Sequence, residues 1–221
     1  MAKQEDVAPV GVGLVRVVVS VAGLTPLLMN RMTAETLEGI RRKTKKPKTQ
    51  QRPEKPRDEA APKVYATDDG RPYWPVENLF SCWVGAGQFV RLDGKRQVSS
   101  AKSTVLPAFL TIEDPVLLLV ENPSEPEAKW RAAAWEVDMR QGRNPNGGEA
   151  VCLVRPRFDK WGFRVSILVD TNEVGLNIAR EVVEQGGKRM GLGDFRPQKR
   201  GPFGKYSIVR WDEQVLAEAA E

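Results

Sequence analysis

The stretch FRVSILVDTNEVGLNIAREVVEQGG, residues 163–187, changes its hydrophobic period halfway along. Phe163, Val165, Ile167 and Val169 recur at every second position, as on a strand with one buried face. From residue 173 the period lengthens. Val174/Gly175, Ile178/Ala179 and Val182/Val183 recur every four residues and predict a helix over 173–185. Gly186-Gly187 reads as its C-cap. A strand running straight into a helix is part of an α+β unit, and the flanking sequence supplies the rest.

Immediately upstream, Ala150, Cys152, Val154 and Phe158 alternate over 150–158, and the intervening DKWG reads as the turn of a hairpin with 163–170. Downstream, KYSIVRW gives a last strand within 203–211. Near the amino terminus Val15, Val17, Val19 and Val21 mark a strand over 12–22. GLTPLLMNRM ends it, and Thr33 is placed to cap a short helix, TAETLEGIRRK. Asp69-Gly70 is a hairpin signal. Pro75 opens a helix over 75–90 whose apolar stripe is Val76, Leu79, Phe80, Trp83, Gly87 and Val90. FLTIEDPVLLLVE and EAKWRAAAWEVDM read as short strands with a helical turn between them.

Set end to end, the long elements run strand (12–22), helix (75–90), strand (150–158), strand (163–170), helix (173–185), strand (203–211). That order, β-α-β-β-α-β, is ferredoxin-like and RRM-like. The expected fold is therefore α+β, one ferredoxin-like domain over residues 1–221 with insertions. Both helices should cover one sheet face, leaving the other open to a ligand or covered by an insertion. Residues 43–63, KTKKPKTQQRPEKPRDEAAPK, are rich in proline and lysine and lack an apolar period, so they read as a flexible or extended basic insertion.

Composition narrows the chemistry. An apolar fraction of 41% with six tryptophans supplies a real core. The net charge of +5 and pI of about 9.3 fit either a polyanionic partner or plain solubility. The chain has no histidine, which excludes His-based triads, His proton shuttles and His-ligated metals. Cys82 and Cys152 are too few and too far apart for a zinc cluster and read as buried small hydrophobes. MAKQEDVAPV has acids where a signal peptide needs an apolar core. VGLVRVVVSVAGL carries Arg16 and is too short to span a bilayer. A cytoplasmic protein with no membrane partner is expected.

The carboxyl-terminal stretch GGKRMGLGDFRPQKRGPFGKYSIVRW, residues 186–211, poses the functional question. As a dinucleotide cradle it fails, because Gly191-Leu192-Gly193 follows a helix, precedes a strand and has Arg196 where a third glycine belongs. As a P-loop it fails because no Gly-Lys-Ser/Thr is present. Asp194 stands alone among bases, Asp68 and Asp69 read as turn residues, and Glu113-Asp114 precede a proline. No nuclease constellation or cofactor site is legible, although distant carboxylates could still converge on a metal.

The basic residues carry more. Lys188, Arg189, Arg196, Lys199, Arg200 and Lys205 alternate with Phe195 and Phe203, and glycines such as Gly191 and Gly193 let the main chain approach a phosphate. Arg41, Arg42, Lys45, Lys46 and Lys48 lead into and through the insertion. On the 150–158 strand, Arg155 and Arg157 should project on the face away from the helices. Cations that track a backbone, interleaved with aromatic faces that stack bases, are what single-strand binding requires. The alternative is a solvated insertion and an ordinary glycine turn.

A glycine-rich connection between the second helix and last strand of a ferredoxin-like unit resembles the RAMP superfamily. Its members build the backbones and RNA-processing subunits of CRISPR effector complexes. Thr25–Asn30 (TPLLMN) and Gly191–Gly204 (GLGDFRP…GPFG) are also similar to segments of a group of phage-encoded proteins, for which the compartment would be the host cytoplasm. The superfamily resemblance implies RNA contact by Lys188, Arg189 and Arg196. Processing members generally use a histidine, which this chain lacks, so the resemblance implies a binding or backbone subunit. The expectation is a non-catalytic binder of single-stranded RNA or DNA, as a homo-oligomer or ribonucleoprotein subunit, with no cofactor. The rivals are a metal-dependent nuclease and a phage protein that binds an acidic partner.

Overall fold

The computed structural model describes residues 13–43, 53–143 and 148–215. Its strands are β1 (Leu14–Gly23), β2 (Leu27–Leu28), β3 (Tyr73–Pro75), β4 (Leu110–Ile112), β5 (Val116–Leu118), β6 (Glu136–Arg143), β7 (Ala150–Phe158), β8 (Gly162–Asp170) and β9 (Tyr206–Val215). Its α-helices are α1 (Ala34–Arg41), α2 (Pro56–Ala60), α3 (Val76–Ala86), α4 (Leu106–Phe109) and α5 (Leu176–Gln185).

The alternating valines of β1 pair in register with β8, Val17 opposite Ile167 and Val21 opposite Phe163. Strand β9 lies antiparallel on the other side of β1, with a register shift between Ser20 and Val21. Strand β4 pairs with the far edge of β8, so the main sheet reads β4–β8–β1–β9 with antiparallel neighbours throughout. Val17, Val19, Val21, Phe163, Val165, Ile167 and Val169 are all fully buried. They face α3, which contributes Leu79, Cys82, Trp83 and Ala86, and α5, which contributes Ala179, Val182 and Val183. Each buried aliphatic or aromatic side chain of this kind stabilises by about 1.5–3 kcal/mol relative to exposure. The order β1, α3, β4, β8, α5, β9 and this sheet make the fold α+β and ferredoxin-like.

The sequence order is kept, but the second strand of the unit is β4, not residues 150–158. Strand β7 pairs with β2 on one edge and with β6 on the other, forming a separate three-stranded sheet. The DKWG segment is therefore a crossing between sheets and not a hairpin turn. Trp161 is 2% exposed, donates its indole N–H to the Thr25 carbonyl at 2.9 Å and stacks on Phe163. Hydrophobic alternation specifies which face of a strand is buried but not which strand lies beside it. Arg155 and Arg157 consequently lie on the second sheet, not on the open face of the main one.

Gly186 is the C-cap of α5, but in right-handed conformation, its amide donating to the Val182 and Val183 carbonyls, and Gly187 lies beyond it. The helix continues into a π turn, Gly186–Met190, which ends at Gly191 with φ +69°. A side chain at Gly187 would run into the Tyr206 backbone carbonyl, and one at Gly186 into the Tyr206 hydroxyl and Trp83. The paired glycines let α5 approach β9 while the Trp83 indole N–H donates to Tyr206 Oη at 3.0 Å.

Within the basic insertion, residues 44–52 lie outside the described residues. From Pro56 to Lys63 the insertion is helical, not extended. Pro56 starts α2, Ala60 is fully buried, and a 3-10 turn spans Ala61–Lys63. Lys63 Nζ donates to the Val154 carbonyl at 2.7 Å, and the Arg57 guanidinium lies 4.2 Å from the Trp135 ring centroid. Thr33 caps α1 by accepting from the Thr36 amide at 3.3 Å. Pro75 is the N-cap of α3, one place before its predicted position, and α3 gives way to a 3-10 turn after Ala86. The Asp69-Gly70 turn forms, with Thr67 N donating to Arg71 O at 2.9 Å. In the middle of the chain, β4, β5, a helical turn at Glu127–Lys129 and β6 match the expected short strands.

The sheet face away from the helices is partly covered by the chain between β4 and β6. Arg16 pairs with Glu113 at 2.7 Å, and Arg164 pairs with Glu127 at 3.1 Å beneath the Trp130 ring. Among the described residues no helix is long and apolar enough to cross a membrane.

Candidate nucleic-acid interface

The two motifs at opposite ends of the chain meet in space. Gly204 N donates to Pro26 O and Asp194 N to Leu28 O, both at 2.8 Å. Lys205 N donates to Thr25 Oγ1 at 3.0 Å, and Leu24 N to Lys205 O at 2.7 Å. The loop also closes on itself, with Leu192 N to Gly204 O at 2.9 Å and Gly201 N to Arg196 O at 3.0 Å. Gly193 has φ +77°, and a Cβ there would strike the Leu28 carbonyl. Gly204 has φ +68° and is pressed against the Leu192 carbonyl.

These glycines let one backbone lie on another. The amides of Gly191, Leu192, Asp194, Phe195, Gly201 and Gly204 are already donated inside the protein. They are therefore not free to donate to a phosphate, which is the use that the glycine content of the loop suggests. The structure instead makes the loop a rigid platform for side chains.

Phe195 stands at φ +51° and is 47% exposed, while its partner Phe203 is buried at a centroid distance of 6.1 Å. The Arg140 guanidinium lies 4.3 Å from the Phe203 ring centroid. Phe203 thus anchors the loop, and Phe195 offers an open aromatic surface. Arg196 donates to the Gly193 carbonyl at 2.9 Å and to Gln198 Oε1 at 2.7 and 3.0 Å. Arg189 is held by Gln185 at 2.8 Å and lies over the Phe89 ring. Lys188, Lys199 and Arg200 are exposed, and Lys205 is half-buried.

None of the described ion pairs involves these six cations. The other predicted contacts differ. Arg41 and Arg42 both bind Glu38, whose carboxyl is held below its usual pKa by hydrogen bonds from both guanidinia. Arg155 pairs with Asp194 at 3.0 Å, which ties β7 to the loop, and Arg157 pairs with Asp159 at 2.6 Å. Lys45, Lys46 and Lys48 lie outside the described residues.

Beside the loop lies a cleft of about 600 Å³. One wall is the segment Asn30, Arg31 and Met32 with Leu37 of α1. A second is α3, through Asn78, Ser81 and Cys82. Tyr65 and Trp74 also line it, and Gly191–Asp194, Arg196 and Gln198 complete it. The Arg31 guanidinium lies 5.8 Å from the Tyr65 ring centroid, and Tyr65 meets Trp74 edge-on at 6.4 Å. Trp74 is 5% exposed, and its indole N–H has no hydrogen-bond partner among the described residues. An unsatisfied buried donor costs about 1–3 kcal/mol. Burial pushes the Cys82 thiol up to about 12, so it is not a nucleophile near neutral pH.

Of the predicted residues, Gly191, Gly193 and Arg196 line this cleft. Sequence reasoning missed Asn30, Arg31, Tyr65, Trp74, Asn78 and Gln198. Asn78 and Ser81 were visible only as the polar side of an amphipathic helix, and nothing in their spacing said that this side meets the glycine-rich loop. Among the described residues no group of three or more His, Cys, Asp or Glu side chains is placed to hold a metal ion.

No protein-family profile and no curated protein matches the sequence. Among solved structures, the fold is similar to a chain in the cryo-EM structure of Type III-B Cmr-beta bound to cognate target RNA. The TM-score is 0.54 at 12% identity, over 93% of this chain and 62% of that one, so this chain spans somewhat less than two thirds of its neighbour's length. At that identity the likeness bears on the fold alone.

Proposed function

We propose that this chain is a non-catalytic RNA-binding subunit of the RAMP kind. It would grip a single strand along the glycine-rich loop and the adjoining cleft. The observation that carries this reading is the convergence of the two end motifs on one rigid surface. Its cations, Lys188, Arg189, Arg196, Lys199 and Arg200, are not neutralised by neighbouring acids, and an exposed aromatic stands among them. Charge of this kind follows a phosphate backbone, and an open ring stacks a base.

RNA is favoured over DNA because the structural neighbour was solved with a target RNA. In this reading the chain is a single ferredoxin-like domain. Residues 43–63 add cations from Lys45, Lys46 and Lys48, and copies line up along one strand in the cytoplasm. The kinship with phage-encoded proteins rests on the two motifs alone.

The test begins with purification in nuclease-free buffers, the 260/280 nm absorbance ratio, and sequencing of whatever co-purifies. Short RNA of uniform length is expected. Anisotropy titrations with single-stranded RNA, single-stranded DNA and duplex then rank the ligands. A protein that emerges clean and binds single strands no better than an unrelated basic protein would overturn the reading and point to an acidic protein partner.

A further inference from the structure

The cleft beside the loop is furnished differently from the loop itself. A surface that only followed phosphates would be lined with cations. Here Asn30, Asn78 and Gln198 line the cleft; the asparagine amides carry both donors and an acceptor, and Gln198, whose oxygen is taken by Arg196, keeps its NH2 as a donor. That is the chemistry of a Watson–Crick edge, which also mixes donors and acceptors. Tyr65 and Trp74 add aromatic surface to the wall, and the Trp74 indole N–H is a buried donor without a partner among the described residues.

At the entrance, Met32 and Leu37 are 56% and 52% exposed, and α1, which carries Leu37, buries none of its residues. Asp194, the only carboxylate among the described lining residues, is engaged by Arg155. The volume of about 600 Å³ falls in the roughly 300–1,000 Å³ range of small-ligand sites and is far larger than a lone ion needs.

We propose that this cleft is a pocket for one unstacked nucleobase of the bound strand. Asn30, Asn78 and Gln198 read the base edge, Tyr65 lies alongside the base, and Arg31 and Arg196 hold its flanking phosphates. The proposal rests on the strand-binding reading and adds to it. The loop binds any sequence, whereas the pocket makes one nucleotide position matter.

The test is an abasic scan. In a short single-stranded RNA of one site size, each nucleotide in turn is replaced by an abasic one and the affinity measured. One position is expected to cost about tenfold, the scale of one base contact. Asn78→Ala, on an exposed helix face, should keep the wild-type melting temperature, weaken intact RNA and flatten the scan. In parallel, AMP, CMP, GMP and UMP are titrated while the indole N–H resonances are followed, with Trp74→Phe assigning the relevant signal. A saturable shift of the Trp74 resonance is expected.

Retained RNA affinity with a flat scan would sink the pocket and leave strand binding intact. A mononucleotide shift without strand binding would mark a free-nucleotide site and overturn the strand reading, and with it the pocket's role there. Binding of neither probe would overturn both.

Discussion

At the scale of single residues, the loop is governed by backbone approach. Gly193 combines φ +77° with a Cβ position occupied by the Leu28 carbonyl, so any side chain must move the TPLLMN segment. Gly193→Ala is expected to cost about 2–3 kcal/mol, read as a lower urea midpoint at unchanged slope. The buried Cys82 gives a second residue-level prediction. Burial raises its thiol from 9.0 to about 12, and burial also holds the Tyr206 hydroxyl well above its ordinary value. A raised folded pKa contributes stability that is whole below the unfolded pKa and lost as pH rises toward the folded one. Stability should therefore fall between pH 9 and 12, and Cys82→Ala should show a shallower fall. Equal slopes of melting temperature against pH for the two proteins would rule this out.

At the scale of elements, some units are locked by packing and others only by local bonds. Helix α1 has eight residues, none buried, and is held by the Thr33 cap and the Glu38 ion pairs. A helix that short is marginal in water without tertiary support. Thr33→Ala should raise hydrogen exchange across 34–41 by about fivefold, the effect of losing roughly 1 kcal/mol of capping, and leave the global melting temperature unchanged. A drop of several degrees would show that α1 is coupled to the core. The contrast is α5, where Ala179, Val182 and Val183 are fully buried and the following π turn sets Lys188 and Arg189 on the surface. Only the long helices and strands were readable in the sequence, because each has its own period, which the short α2 lacks. Partners were not, as the crossing at 159–162 shows.

At the scale of the whole molecule, the cations divide into those held in ion pairs and those that are not. Arg16, Arg155, Arg157 and Arg164 are engaged in internal ion pairs that tie sheets and connections together. The loop's cations are not. Removing three of the latter, as Lys188→Ala, Lys199→Ala and Arg200→Ala together, should weaken single-strand binding. It should also make the log–log salt slope shallower by about 2, at roughly 0.7 per lost phosphate contact. The matching triple change at Arg16, Arg155 and Arg164 should lower stability instead. An unchanged salt slope in the first triple variant would move the strand elsewhere on the surface.

The sequence by itself determined the element order, the buried faces of β1 and β8, the stripe of α3 and the cationic glycine-rich connection. All of these are local patterns of period, charge and punctuation. Only the tertiary structure decided that β4 and not β7 completes the main sheet, because pairing depends on which edges remain free once other strands have docked. It alone showed that Gly186 and Gly187 exist for the approach of Tyr206 and Trp83, a contact made across the fold. The cleft is the clearest case. Asn30, Tyr65, Trp74, Asn78 and Gln198 come from four separate stretches with no shared spacing, and only the docking of the first strand's flank against the glycine-rich loop brings them to one surface.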